Sequence, residues 1–433
     1  MIRWLLKGIW RDKTRSLFPF LVISVGVTLL IYLLGFMEGT FAGMIDMSAQ
    51  LDTGHLRFVN KPYYDEEHLN PLDRALAGQK ETLQWLRNNS DPRIEWSPRI
   101  RWGAIMDVPD EIGETKSQTP VMGVAIEMLD KNSTERKRLD LEKSVIAGVI
   151  PSHAKEMLVG YKLAEALGLS LGDKVTLLGQ NFDGGMATDN YQVVGFVRFG
   201  LAAMDKKMAL IDLVDAQQTF YMEDMVTDFL GFLPKSVGYK TYDQLKQTIK
   251  DHLPALKQNP PREWASDDAP LILSVLDQRN LRELSVKFEL VDDVVIGVFT
   301  FLMVLVLWNA GLLNGVHRYG EMGLLLALGE THKKLIALMM LEALMVGVLG
   351  SAFGCLLGGS LVYYLQEVGV STHGIFETSG LMMSDTIRAR VSLDAFVFAV
   401  IPGVTASVLG NLIANLAIFQ RSEANLFREL ETG

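Results

Sequence analysis

A single cysteine, Cys355, stands in a chain of 433 residues, so no intrachain disulfide can form and every folded part must hold by its core alone. The dipeptide Gly-Lys does not occur, which excludes the phosphate-cradling loop G-x-x-x-x-G-K-[ST] and ATP hydrolysis by that machinery. Seven histidines, at positions 55, 68, 153, 252, 317, 332 and 373, form no H-E-x-x-H run and no close pairing with cysteine, so no zinc site is expected. Basic residues are in deficit, 41 against 51 acidic ones, giving a net charge of −10. Residues 39–293 hold 39 of the acidic and 29 of the basic side chains, leaving 12 of each elsewhere, so the whole imbalance lies in one segment. That segment lacks the clustered Lys and Arg that nucleic-acid binding needs.

Hydrophobic residues make up 49% of the chain and charged ones only 21%, too apolar for a wholly soluble protein of this length. The excess sits in four blocks, residues 17–38, 294–316, 336–365 and 393–419, each long enough to cross a hydrocarbon layer of about 30 Å as a helix. The first is too long for a signal-peptide core and runs on into a polar helical pattern, so it reads as a retained anchor. Arg3, Lys7, Arg11, Lys13 and Arg15 precede it with only Asp12 opposing them, which places residues 1–16 in the cytoplasm. Four crossings then put residues 39–293 and 366–392 outside and residues 317–335 and 420–433 inside.

The outer segment is mixed in period. Residues 55–59, 99–106, 121–126, 174–178, 191–197 and 208–211 alternate as strands, while residues 161–167 and 242–253 carry helical spacing. Its two ends keep an apolar 3,4 spacing: Met37, Phe41, Met44 and Leu51 leaving the first block, and Leu281, Leu284, Phe288, Val291 and Val295 entering the second. An unbroken helix over 277–314 would be about 57 Å long. The expected fold is therefore an α-helical membrane protein with four transmembrane helices plus a large extracytoplasmic α+β domain on extended helical stalks.

Two motifs need weighing. Gly168-Leu-Ser170-Leu-Gly172 fits the G-x-S-x-G pattern of serine hydrolases, but that chemistry demands strand, turn, then helix, and here a helix precedes and a strand follows. Small residues recur every four positions at Gly350, Gly354 and Gly358, at Ala406, Gly410 and Ala414, and at Gly35, Gly39 and Gly43, which predicts closely packed helices. Glu342, the one acidic side chain well inside a block, is read as structural because it lies about two turns from the cytoplasmic edge.

The inner loop is the most specific part. Arg318-Tyr-Gly-Glu321-Met-Gly-Leu-Leu-Leu-Ala-Leu-Gly329 is a short amphipathic stretch closed by glycine, with a second helix start at Thr331. With it go Lys7-Gly-Ile-Trp-Arg-Asp-Lys-Thr-Arg-Ser16, Gly35-Phe-Met-Glu-Gly39, Leu158-Val-Gly-Tyr-Lys-Leu-Ala-Glu-Ala-Leu-Gly-Leu-Ser-Leu-Gly-Asp-Lys-Val-Thr176, Leu341-Glu342-Ala-Leu, and Arg421-Ser-Glu-Ala-Asn-Leu-Phe-Arg428. Together these resemble the MacB/LolC/FtsX family of ABC-transporter permeases. Departures are Met322 where the family has Ile, Tyr319-Gly320 softening a basic pair, and Asn425 in the tail.

The resemblance implies an FtsX-like permease region over about 294–425 and a MacB-like periplasmic domain in the outer segment. It also implies a bacterial inner-membrane permease subunit with no catalytic residues and no cofactor of its own, ATP and Mg being held by a separate ABC ATPase dimer. Arg318, Glu321, Met322, Gly323, Leu324 and Leu325 are the expected ATPase contacts, and Gly350, Gly354 and Gly358 the expected packing row. Further expected partners are a second permease copy or paralogue, membrane lipid, and a lipoprotein or periplasmic adaptor. Lipoprotein release is the leading function because the outer segment is of LolC/LolE size. MacB-like export of peptides or antibiotics, regulation of cell-wall hydrolases, and a membrane-tethered sensor remain open beside it.

Overall fold

The computed structural model describes residues 13–110, 112–130, 133–200, 202–234, 237–258, 260, 264, 269–317, 329, 331–371 and 386–419. Within these, residues 13–41, 284–371 and 386–419 form a helical unit, and residues 42–283 a sheet unit. The main helices are α1 (Lys13–Ser48), α2 (Gln79–Asn89), α3 (Tyr161–Leu167), α4 (Leu213–Thr219), α5 (Tyr242–Gln258), α6 (Leu281–His317), α7 (His332–Val368) and α8 (Leu393–Phe419). The strands of the large sheet are β1 (Leu56–Asn60), β2 (Glu95–Pro109), β3 (Thr115–Ile126), β4 (Val145–Gly148), β5 (Glu156–Gly160), β6 (Lys174–Gln180), β7 (Met186–Val197), β8 (Met208–Asp212), β9 (Asp228–Phe232) and β10 (Pro270–Ser274).

Among the described residues four helices, α1, α6, α7 and α8, are long and apolar enough to cross a membrane. α1 and α6 have 36 and 37 residues, about 55 Å each, far more than a bilayer core requires. Both therefore continue as helix well past the apolar blocks, as the 3,4 spacing predicts. The apolar stripes meet at Phe41 and Phe288, whose ring centroids are 4.9 Å apart, although Val291 of the same stripe is half-exposed. α6 begins at Leu281 rather than at 277, because Ser274 and Asp277 form a reciprocal capping box that closes a separate turn, and Arg279 and Asn280 are left-handed. In the helical unit Ile23, Val27, Ile31, Met303, Leu307, Val346, Ala399 and Ala406 form a common core.

The sheet unit is α+β. Its ten strands run β10-β1-β9-β2-β3-β8-β5-β7-β4, with β6 pairing both β2 and β7. The pairings β2–β3, β3–β8, β8–β5, β5–β7, β7–β6 and β6–β2 close on themselves, so six strands form a ring without a free edge. Val124, Ile126, Met128, Leu141, Leu158, Val197 and Leu210 fill one core beside it. Trp102 is fully buried with its ring over Gly123 of the neighbouring strand, where any Cβ would enter the indole. All six predicted strands and both predicted helices are present, most of them longer than the alternation alone marked.

Candidate functional site

The six expected ATPase contacts, Arg318, Glu321, Met322, Gly323, Leu324 and Leu325, lie outside the described residues. Their flanks are described. α6 ends at His317, Gly329 is left-handed at φ 94°, and the Thr331 carbonyl accepts from the Lys334 and Leu335 amides to start α7. Ser170 sits in the connection between α3 and β6, its amide donating to the Asp173 carboxylate at 2.8 Å, which is turn chemistry rather than a nucleophile's setting.

The glycine row of α7 faces α1. A Cβ at Gly350 would lie 3.0 Å from Ile23, at Gly354 2.8 Å from the Ser24 carbonyl and from Val27, and at Gly358 3.0 Å from Ile31. The close approach lets Ser24 donate to the Gly350 carbonyl at 3.1 Å and Thr28 to the Gly354 carbonyl at 3.2 Å. In α8, Gly410 abuts Leu307 and Ala414 abuts Gly311, both on α6. The third row stops short of expectation: Gly35 meets Val362 and Gly39 meets the Arg388 backbone, but Gly43 faces open space.

Sequence reasoning missed the places where the two long helices are rooted in the sheet unit. After Ser48, α1 loosens into a π-helical turn, Ala49–Thr53, ended by Gly54 at φ 63°. The carbonyls this leaves unpaired fall on two arginines of one face of β2. Arg99 donates to the Gln50 and Leu51 carbonyls at 3.4 Å, and Arg101 to the Asp52 carbonyl and carboxylate. Cations are placed where the helix dipole is negative. Both arginines are neutralised from below: Arg99 by Glu135 at 2.7 Å and Arg101 by Asp228 at 2.9 Å, the latter carboxylate also accepting from Arg57 at 3.0 Å.

The root of α6 is held by paired charges of both signs. Arg282 in its first turn makes two parallel bonds of 2.9 Å to Asp243 of α5 and one of 2.7 Å to Asp277. Lys246 bridges the same two carboxylates at 2.9 and 2.7 Å. The Arg282 fork, with Lys246 and Ser274 beside it, outweighs partial burial and holds the Asp243 carboxyl well below the usual carboxylate range. The two roots are joined: Asp52 also accepts from Arg279, and Gln278 accepts from Arg57 at 3.2 Å. Arg57, Arg99 and Asp228 are at most 1% exposed, so the junction is buried charge satisfied by buried charge, and removal of one partner costs about 3–5 kcal/mol. This arrangement carries no reacting group. It anchors two helix ends in the sheet unit, one on β2 and one on α5 and the turn after β10.

Two family models match the chain: the MacB-like periplasmic core domain over residues 16–240 and the FtsX-like permease C-terminal over residues 294–422. Among curated proteins, the lipoprotein-releasing system transmembrane protein LolC of Haemophilus influenzae is 22% identical over 240 residues, covering 53% of this chain and 55% of LolC. The aligned stretch thus spans about half the length of that relative. Among solved structures, the periplasmic region of MacB from Actinobacillus actinomycetemcomitans is similar at a TM-score of 0.35 and 11% identity, over 55% of this chain and 95% of that one. The extracellular domain of the noncanonic ABC-type transporter YknZ from Gram-positive bacteria is similar at 0.29 and 14%, over 46% and 94%.

Proposed function

The chain belongs to the MacB/LolC/FtsX family of ABC-transporter permeases, and from that premise we propose that it couples ATP hydrolysis in a separate subunit to movement of its external domain, releasing lipoproteins from the inner membrane. In this reading both termini are cytoplasmic, and residues 317–329 dock on an ATPase dimer through Arg318, Glu321, Met322, Gly323, Leu324 and Leu325. A second permease copy or paralogue completes the complex. ATP and Mg are held by the partner, and this chain contributes no cofactor site. The observation that carries the mechanism is the pair of helices, α1 and α6, that run about 55 Å without a break and end in charged roots of the sheet unit. A helix of that length passes on an axial or tilting displacement, and the roots leave it nowhere to slip.

Lipoprotein cargo rests on the LolC match. The MacB-like core match keeps a second reading beside it, MacB-like export of peptides or antibiotics with a periplasmic adaptor. Native mass spectrometry of the complex purified with its candidate ATPase separates them. Two permeases, two ATPases and a retained acylated protein support lipoprotein release. The same core with an adaptor and no acylated protein supports export, and the absence of any ATPase overturns transport in favour of a sensor.

A further inference from the structure

Between the capping box at Ser274 and Asp277 and the first turn of α6, two consecutive non-glycine residues, Arg279 and Asn280, are left-handed, at φ 51° and 58°. Single Asn residues visit this region; a pair that includes Arg does so only when its surroundings impose it. On the near side the chain is fixed by Arg57 on Gln278 and by the capping box itself. The pair is the middle of a turn closed by the Leu281 amide, which donates to the Gln278 carbonyl at 3.1 Å, and the side chain of the pair that reaches across to α1 is Arg279, bound to Asp52. Asp52 is only 11% exposed and is held from its other oxygen by Arg101, whereas Arg279 is 57% exposed and makes its bond at the surface. One end of the contact is therefore built in and the other is releasable. Asp52 belongs to the π-helical turn at the root of α1, and Arg279 to the entry of α6.

We propose that Arg279–Asn280 is a strained hinge at the entry of α6 and that Asp52 latches it, so that a displacement at the end of α1 reaches α6 through one carboxylate. Arg279 and Asp52 are positioning residues, and the proposal rests on the coupling role given above. Pushing α1 outward shifts the π-helical turn that carries Asp52, and the exposed Arg279 end of the contact parts while the Arg101 end holds. The hinge then relaxes towards right-handed backbone, and the first turn of α6 pivots about the Arg282 fork that still ties it to Asp243 and Asp277. Restoring α1 re-forms the ion pair and resets the hinge.

Hydrogen–deuterium exchange on the full chain in lipid nanodiscs, with its candidate ATPase and with or without MgATP, tests this. In the parent, MgATP is expected to raise exchange over residues 276–290. Arg279→Ala should exchange there at least about fivefold faster without nucleotide and lose the nucleotide response, with residues 56–60 of β1 unchanged as evidence of intact folding. Arg279→Lys should restore both behaviours. Asn280→Gly, which adopts this backbone without strain, should exchange more slowly than the parent. Arg279→Ala within about twofold of the parent and still nucleotide-responsive overturns the latch, as does an unchanged Asn280→Gly. A parent in which nucleotide alters exchange nowhere overturns the coupling role instead, while the nucleotide-free comparison still decides the latch.

Discussion

Adding one methyl group at Gly354 tests whether α1 and α7 are held by close approach rather than by apolar bulk. Its Cβ would stand 2.8 Å from the Ser24 carbonyl oxygen and 2.8 Å from the Val27 Cβ, so the helices must part by about 0.6–1 Å to reach ordinary contact. Overpacking of this kind costs about 1–3 kcal/mol. The separation also stretches two interhelical bonds, Ser24 to Gly350 and Thr28 to Gly354, each worth about 0.6 kcal/mol in a membrane setting. Alanine returns about 1 kcal/mol through its better helix propensity. The net loss for Gly354→Ala is about 2 kcal/mol, near a thirtyfold fall in the folded ratio. Gly297→Ala supplies the control, since its Cβ would face open space and only the propensity gain applies. Reversible unfolding in mixed micelles of increasing SDS fraction, followed by circular dichroism, orders the three proteins. Gly354→Ala unfolding at or beyond the parent's midpoint would refute the close-approach argument.

Other perturbations probe the sheet unit and the roots. Asp243 titrates lower in the folded chain than its ordinary value of 3.8, so its contribution is complete above about pH 4 and is lost as pH falls below that. Asp243→Asn should therefore be less stable than the parent at neutral pH and lose less stability on acidification; parallel pH profiles would count against the Arg282 anchor. Gly123→Ala drives a methyl into the Trp102 indole and should lower the melting temperature of the sheet unit by about 5 °C, read by tryptophan fluorescence, with an unchanged midpoint contradicting the packing. Leu284→Pro interrupts α6 within its first turns and should abolish the nucleotide-dependent exchange of the sheet unit while the ATPase still binds; a preserved response would show that an unbroken α6 is not needed.

The membrane blocks were legible because an apolar run is a signal carried by consecutive residues. The rest depended on distance along the chain. Arg99 and Arg101 alternate in a strand, and nothing local shows what they meet. Their partners Asp52, Glu135 and Asp228 come to meet them from separations of 36 to 127 residues. β9 is buried along its whole length, so it lacks the period-two pattern by which β3 and β7 declare themselves. β5, in the middle of the ring and paired on both sides, was silent for the same reason. The helix roots left one local trace, a Ser274-to-Asp277 box of the kind that opens helices, but what it opened was a short turn. The left-handed pair after it has no composition of its own, since Asn is tolerated there and Arg is not a turn residue.

β1 and β10, the first and last strands of the sheet unit, are hydrogen-bonded neighbours, Leu56 opposite Ser274 and Asn60 opposite Pro270. The chain thus leaves the unit one strand spacing, roughly 5 Å, from where it came in. In architectural terms the unit is an insertion: a self-closed module spliced into a helical host at a single seam. The two helix ends meet this seam together with the few charged residues that root them, Arg99 and Arg101 of β2 and Asp243 of α5. What is threaded between β1 and β10 can be enlarged or trimmed away from these root residues, and the chain still enters and leaves side by side.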